Sequence, residues 1–341
     1  MKQIRSALAA AIFGTAVLSA GPASADVHLV GSGASFPFPL YAAWFKKFSD
    51  ESDGITVDYQ SKGSGAGIQD LTNNVVDFAA SDAAMSDEEI AKVKEGVVLL
   101  PMTAGEVVLA YNLEGVDSLK LPRDVYPEIF LGKIESWNDP KLVAANPGVD
   151  LPDEPITVVV RSDSSGTTFT MTNHLSAISE AFKNGPGVGK TVQWPESNKI
   201  VRAPKNDGVT ATIKQTPGSI GYIEYTFAKF TNTPFAELEN KAGNYVKAGA
   251  AGGSAALATA KFDSHMRAFE PDPPGPEAYP VTTFTWMLFY ASGQSAEKID
   301  ALKKMVEFGL TEGQTMAGQY GYVPLPDEVI TKVRTEMAKI K

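Results

Sequence analysis

Three short segments carry most of the residues in this chain that could do chemistry. Gly31-Ser32-Gly33-Ala34-Ser35-Phe36-Pro37, Gly63-Ser64-Gly65-Ala66-Gly67 and Ser164-Ser165-Gly166-Thr167-Thr168 each place small residues and a hydroxyl where an extended run gives way to a helical one. The first N–H groups of a helix have no intrahelical partner, and the helix dipole is positive at that end. Glycine lets an anion approach those N–H groups, and a serine or threonine hydroxyl adds a further donor. Taken singly, each segment also reads as an ordinary capped turn, because serine is a common N-cap. Three of them in one chain, with Arg161 shortly before the last, favour a shared anion site.

The chemistry that turnover would need is not visible beside these donors. Gly185-Pro186-Gly187-Val188-Gly189-Lys190-Thr191 imitates a nucleotide P-loop, but Asn184 stands where that motif requires its first glycine, and Gln193-Trp194-Pro195 just beyond cannot open a helix. No serine has glycine at both −2 and +2, so the nucleophile elbow is missing. Ser295-Ala296-Glu297-Lys298 spells S-x-x-K without its companion motifs and reads as a helix start. His28, His174 and His265 stand singly and there is no cysteine, so neither a metal site nor a cofactor is expected.

The elements that must position the donors follow from periodicity. Strands are predicted at His28–Val30, Ile55–Tyr59, Asp77–Ala80, Val97–Leu100, Val107–Tyr111, Ile156–Val160, Gly221–Tyr225 and Phe284–Tyr290. Leu40, Tyr41, Trp44, Phe45 and Phe48 recur at helical steps, and so do Met171, Leu175, Ile178 and Phe182. This alternation predicts an α/β fold with largely parallel sheets. Lys247–Gly253 and Pro271–Pro276, rich in glycine or proline, read as surface loops. Trp137, Tyr222 and Trp286 read as structural aromatics rather than ligand contacts.

Several motifs together resemble the periplasmic phosphate-binding proteins of high-affinity phosphate ABC transporters, from about His28 to the C-terminus. They are Gly33-Ala34-Ser35-Phe36-Pro37, Val76-Asp77-Phe78-Ala79-Ala80-Ser81-Asp82, Phe130-Leu131-Gly132-Lys133-Ile134 with Trp137, Arg161-Ser162-Asp163-Ser164-Ser165-Gly166-Thr167 and Pro217-Gly218-Ser219-Ile220-Gly221-Tyr222. The resemblance implies a two-lobed periplasmic binding protein of type II, with two crossing strands as a hinge near Ala104 and Tyr279. Lobe one would then be residues 26–103 plus 280–341, and lobe two 104–279. It also implies phosphate contacts at Ser35, Phe36, Ser64, Asp82, Arg161, Ser165, Gly166 and Thr167, with serine at 35 where relatives often carry threonine. Arg161 can donate in a fork to two oxygens, and Asp163 would hold its guanidinium in place. Read by spacing alone, Arg161 and Asp163 are equally a solvated strand-end ion pair, and Asp82 is equally a helix cap. As an acceptor facing an anion, Asp82 makes sense only if the ligand carries a proton. The function implied is binding without chemistry and delivery to an inner-membrane permease. The alternatives are a secreted phosphatase or phosphoryl-transfer enzyme, and a receptor for another tetrahedral oxyanion.

Composition sets the setting. Lys2 and Arg5 precede an uncharged run from Ala7 to Ala25 that ends in Ala23-Ser24-Ala25, the pattern of a cleavable secretory signal over residues 1–25. The apolar part, Ala7 to Ala20, is too short to span a bilayer permanently. Cleavage would leave 28 basic against 40 acidic residues, a formal charge of −12. Such a chain is expected to be a monomer in the periplasm, not embedded in the membrane and without nucleic acid as partner. It must hold an anion with local dipoles and a few placed charges, because its long-range field repels one.

Overall fold

Leu40, Tyr41, Trp44, Phe45 and Phe48 share one buried face of the helix Phe38–Glu51, as their spacing predicts. In the computed structural model, which describes residues 26–196 and 199–341, this face packs on the first strands of a mixed sheet. The first third of the chain runs β1 (Val27–Gly33), α1 (Phe38–Glu51), β2 (Ile55–Ser61), α2 (Ser64–Thr72), β3 (Phe78–Ser81), α3 (Asp87–Ile90) and β4 (Val97–Asn112). The middle holds β5 (Lys120–Leu121), α4 (Tyr126–Phe130), α5 (Pro140–Ala145), β6 (Thr157–Arg161), α6 (Gly166–Ile178), α7 (Glu180–Asn184), β7 (Ile200–Ala203) and α8 (Lys205–Gln215). It continues through β8 (Ser219–Glu224), α9 (Tyr225–Thr231), β9 (Glu237–Glu239), β10 (Tyr245–Val246) and α10 (Ala250–Leu257). The chain closes with β11 (Thr282–Tyr290), α11 (Ala296–Leu310), α12 (Glu312–Tyr320) and α13 (Asp327–Met337). The predicted leader, residues 1–25, lies outside the described residues.

The eight-stranded sheet has the order β2-β1-β3-β11-β4-β8-β6-β7. Its outer pairs, β1 with β2 and β3 and β6 with β7 and β8, are parallel. Its centre is antiparallel, because β11 and β4 run against each other and against β3 and β8. The predicted parallel character therefore holds for the two wings and not for the middle. β4 takes in both strands predicted at Val97–Leu100 and Val107–Tyr111 as one span of sixteen residues. Pro101 inside it is tolerated because the register with β11 shifts between Thr285 and Trp286, and a residue without an N–H fits at such a bulge. Through Glu106 the strand pairs with β11, and from Val107 onward with β8.

Other predicted boundaries move for identifiable reasons. The helix read through Met171 and Phe182 breaks at Ser179, whose backbone is extended and whose hydroxyl caps α7 by accepting from Phe182 N. Tyr225 leaves β8 and opens α9, where Glu224 accepts from Thr226 N. Ala250–Gly253, read as loop, forms the first turn of α10. Here glycine serves close packing rather than a turn, since a Cβ on Gly253 would lie 2.4 Å from Val323 Cγ2. Trp137, Tyr222 and Trp286 are fully buried in the core.

Candidate functional site

Each of the three glycine-serine segments lies where a strand passes into a helix. The first links β1 to α1, the second opens α2 and the third opens α6, with Ser165 as N-cap accepting from Thr168 N at 3.0 Å. The strand ends that carry them are neighbours in the sheet or face each other across β11 and β4, so residues more than a hundred apart in sequence converge. The second and third segments touch directly: Gly65 N donates to Ser164 O at 3.0 Å. A Cβ on Gly166 would lie 2.5 Å from both Asp82 Oδ2 and Ser64 Oγ, so only glycine permits this approach. Ser35, on the first segment, is reached from α8, where Asn206 donates to its Oγ from both the backbone N at 3.1 Å and Nδ2 at 3.0 Å.

All eight residues expected at the anion are buried and belong to this one cluster or its wall. Ser35, Ser64, Asp82, Arg161, Ser165 and Thr167 are each 5% exposed or less. Gly166 forms the first turn of α6 between Ser165 and Thr167. Phe36 packs edge-on against Tyr322, whose hydroxyl donates to Phe36 O at 2.7 Å. Arg161 Nε and Nη2 donate in a fork to the two oxygens of Asp163, and Nη1 reaches Thr167 Oγ1 at 3.3 Å.

The two carboxyls near Arg161 are pushed apart by their surroundings. Burial alone would raise Asp163, but the hydrogen bonds and charge of Arg161, with the Lys205 N–H at 2.9 Å, hold it below the ordinary carboxylate range. Asp82 goes the other way. Burial lifts it to about 7, against the opposing pull of the Thr285 hydroxyl at 2.8 Å, the Arg161 charge and Ser64. Asp163 thus stays ionised and tempers Arg161, while Asp82 can take or release a proton near neutrality.

Four partners of the site escaped sequence reasoning. Asn206 and Thr285 carry ordinary cap and strand residue types, and only their contacts with Ser35 and Asp82 mark them. Tyr222, read as a core aromatic, also uses its hydroxyl, accepting from Arg161 N at 3.1 Å and pairing with Thr168 Oγ1 at 2.8 Å. Glu224 is fully buried and accepts from Thr226, and burial lifts it to about 8. The signal available for Tyr222 was its place in Pro217–Tyr222, one of the motifs of the resemblance.

The remaining motifs fall elsewhere. The P-loop imitation is a loop: Lys190 O accepts from Ser165 N, and Lys190 Nζ pairs with Glu89 at 2.5 Å. Ser86 forms a capping box with Glu89, and Ser295 caps α11. His174 is buried against Tyr126 Oη and Pro271 O, each at 2.6 Å, and His28 lies beside Thr56 and Asp58 at the surface. Among the described residues, no group of three or more His, Cys, Asp or Glu side chains is placed to hold a metal ion.

A family model for the PBP superfamily domain matches residues 19–312. The phosphate-binding protein PstS of Pasteurella multocida is 38% identical over 312 residues, covering 90% of this chain and 89% of that protein. The chain belongs to the phosphate-binding protein family. The Haemophilus influenzae PstS phosphate-binding protein is 36% identical, with 90% of this chain and 92% of that protein covered. The fold is shared with a high-affinity periplasmic phosphate-binding protein solved with phosphate, at a TM-score of 0.77 and 21% identity over 91% of this chain and 93% of that one. The family's two-domain α/β architecture accounts for the arrangement described above, with helix N-termini brought to the centre of the sheet from both wings.

Proposed function

We propose that this protein is a periplasmic receptor that binds inorganic phosphate and hands it to an inner-membrane ABC permease without reacting with it. The observation that carries the reading is the convergence of Ser35, Ser64, Arg161, Ser165 and Thr167, all hydrogen-bond donors, around the one protonatable acceptor Asp82. In that reading the N–H groups of Phe36, Gly166 and Thr167 and the hydroxyls of Ser35, Ser64, Ser165 and Thr167 donate to phosphate oxygens. Arg161 supplies the placed charge and Asp163 orients it. Membership of the phosphate-binding family supports the choice of anion.

The protein works as a two-lobed monomer, with lobe one at 26–103 plus 280–341 and lobe two at 104–279, and residues 1–25 are removed on export. The change of partner along β4, from β11 to β8 after Glu106, supports a hinge at that level. No helix among the described residues is long and apolar enough to cross a membrane. Titration calorimetry over phosphate, arsenate, sulfate and molybdate tests the reading. Phosphate should bind with one site per chain and arsenate should compete, whereas a chain that ignores phosphate and takes sulfate or molybdate is a receptor for a different anion. Release of phosphate from a chromogenic monoester, with or without added divalent metal, would favour the phosphatase alternative.

A further inference from the structure

Asn206 stands on the first turn of α8, fully buried, and its amide orientation is not a free choice. Its Oδ1 faces Glu224 N at 2.9 Å, and a backbone N–H can only donate, so the other amide atom must be the nitrogen. That nitrogen donates to two hydroxyl oxygens at once, Ser35 Oγ at 3.0 Å and Thr167 Oγ1 at 3.1 Å. Each of these oxygens accepts a second bond, Ser35 from Asn206 N at 3.1 Å and Thr167 from Arg161 Nη1 at 3.3 Å. A hydroxyl has two acceptor lone pairs and one proton. With both lone pairs engaged, Ser35 and Thr167 are left only their O–H bonds, and among the described residues neither finds a protein acceptor.

The backbone before Asn206 is also set for this purpose. Lys205 has φ 58°, the left-handed region that a residue with a side chain rarely enters and that is held only where its surroundings impose it. That conformation directs Lys205 N onto Asp163 and the next N–H onto Ser35. Asp163 and Asn206, neither a ligand contact in the proposed site, are therefore tied through one turn: the first holds Arg161, the second holds the two hydroxyls.

We propose that Asn206 is a positioning residue that fixes the Ser35 and Thr167 hydroxyls as donors, turned toward the bound anion. This rests on the reading that the site takes phosphate. By occupying the lone pairs beforehand, Asn206 prevents either hydroxyl from presenting an acceptor to the ligand, and the orientation is in place before the anion arrives.

Double-mutant cycles on phosphate affinity test it. Asn206→Ala should weaken phosphate binding by about ten- to a hundredfold, the loss expected when two donors are no longer preset. Repeated in a Ser35→Ala background, and separately in a Thr167→Val background, the same substitution should lose at least about threefold less, because its target is gone. A structural role alone would give the same loss in all backgrounds. Additive cycles with both hydroxyls, or wild-type affinity in Asn206→Ala, would overturn the assignment. Should Asn206→Ala not fold, as judged by circular dichroism, Asn206→Asp keeps the acceptor for Glu224 N and carries the same cycles. Wild-type protein that does not bind phosphate at all defeats the underlying reading instead, and is told apart from additive cycles by the first titration.

Discussion

Asp82 and Asp163 show what a few ångströms decide at the scale of a residue. Both feel Arg161, yet the one that meets its fork stays ionised, and the other is lifted to about 7 by burial against the pull of Thr285, Arg161 and Ser64. The difference bears on selectivity. Phosphate near neutral pH still carries a proton and can share it with Asp82, whereas sulfate carries none and can bind only where Asp82 supplies the proton. A buried acceptor set against an anion without a hydrogen bond costs about 1 to 3 kcal/mol, to which like-charge repulsion adds. Sulfate should therefore bind at least about a hundredfold more weakly than phosphate at pH 8. Its affinity should rise as pH falls through about 7, where Asp82 becomes protonated. Competition titrations on wild type and Asp82→Asn check this: the variant, which always offers N–H donors, should lose both the pH dependence and most of the discrimination. A phosphate-to-sulfate ratio that is unchanged in the variant would sink the mechanism.

At the scale of elements, the site is a meeting of helix N-termini, and their approach depends on missing side chains. α6 comes so close to Asp82 and Ser64 that a methyl group at Gly166 has no room, its Cβ meeting a carboxylate oxygen and a hydroxyl at 2.5 Å. Gly166→Ala should then weaken phosphate binding by at least about tenfold, because the two wings can no longer close to hydrogen-bond distance. Gly166 sits in the first turn of a helix, where alanine itself is well accommodated. The melting temperature of the ligand-free variant should accordingly change much less than its affinity. Calorimetry and thermal unfolding on the same sample separate the two, and an affinity within twofold of wild type would show that the wings do not need this contact.

At the scale of the whole molecule, three carboxyls are buried in the interior among the described residues, and their titration should be visible in its stability. Burial raises Glu224 to about 8, Asp82 to about 7, and Glu106 well above its ordinary value. A carboxyl whose pKa is higher folded than unfolded binds more protons in the native state across the interval between the two values, so stability falls as pH rises through it. His174 opposes this at lower pH. Burial lowers it to about 4, so the native state binds fewer protons than the unfolded chain up to the unfolded value near 6.5, and stability rises with pH there. Above about 6.5 only the carboxyls act. Glu224 and Asp82 alone should cost the ligand-free protein about 2 kcal/mol between pH 6.5 and 8, several degrees in Tm, and Glu106 adds to the loss. Glu224→Gln, which can still accept from Thr226, should remove the Glu224 share of that slope and leave the share of Asp82 and Glu106. A Tm that holds or rises over this interval would contradict the account.

Much of this molecule was legible without coordinates. Strand and helix periodicity located β1, β2, β6, β11 and α1 to within a few residues, because a face that must be buried repeats along one element. The candidate site was legible as three helix-opening turns, since glycine and hydroxyl residues at an N-terminus carry a local chemical meaning that needs no tertiary contact. The roles of Arg161, Asp163 and Asp82 were not legible by spacing alone and rested on the family resemblance. What the tertiary structure decided was non-local. The order of the strands made β4 a single span across both wings, with Pro101 at a bulge that only its partner β11 could absorb. The same packing brought Asn206 onto Ser35, 171 residues away, and Thr285 onto Asp82, 203 residues away. Asparagine and threonine have the same local propensities wherever they stand. Burial also set the protonation of Asp82 and Glu224, and solvent exclusion is a property of the folded whole that no residue type or spacing encodes.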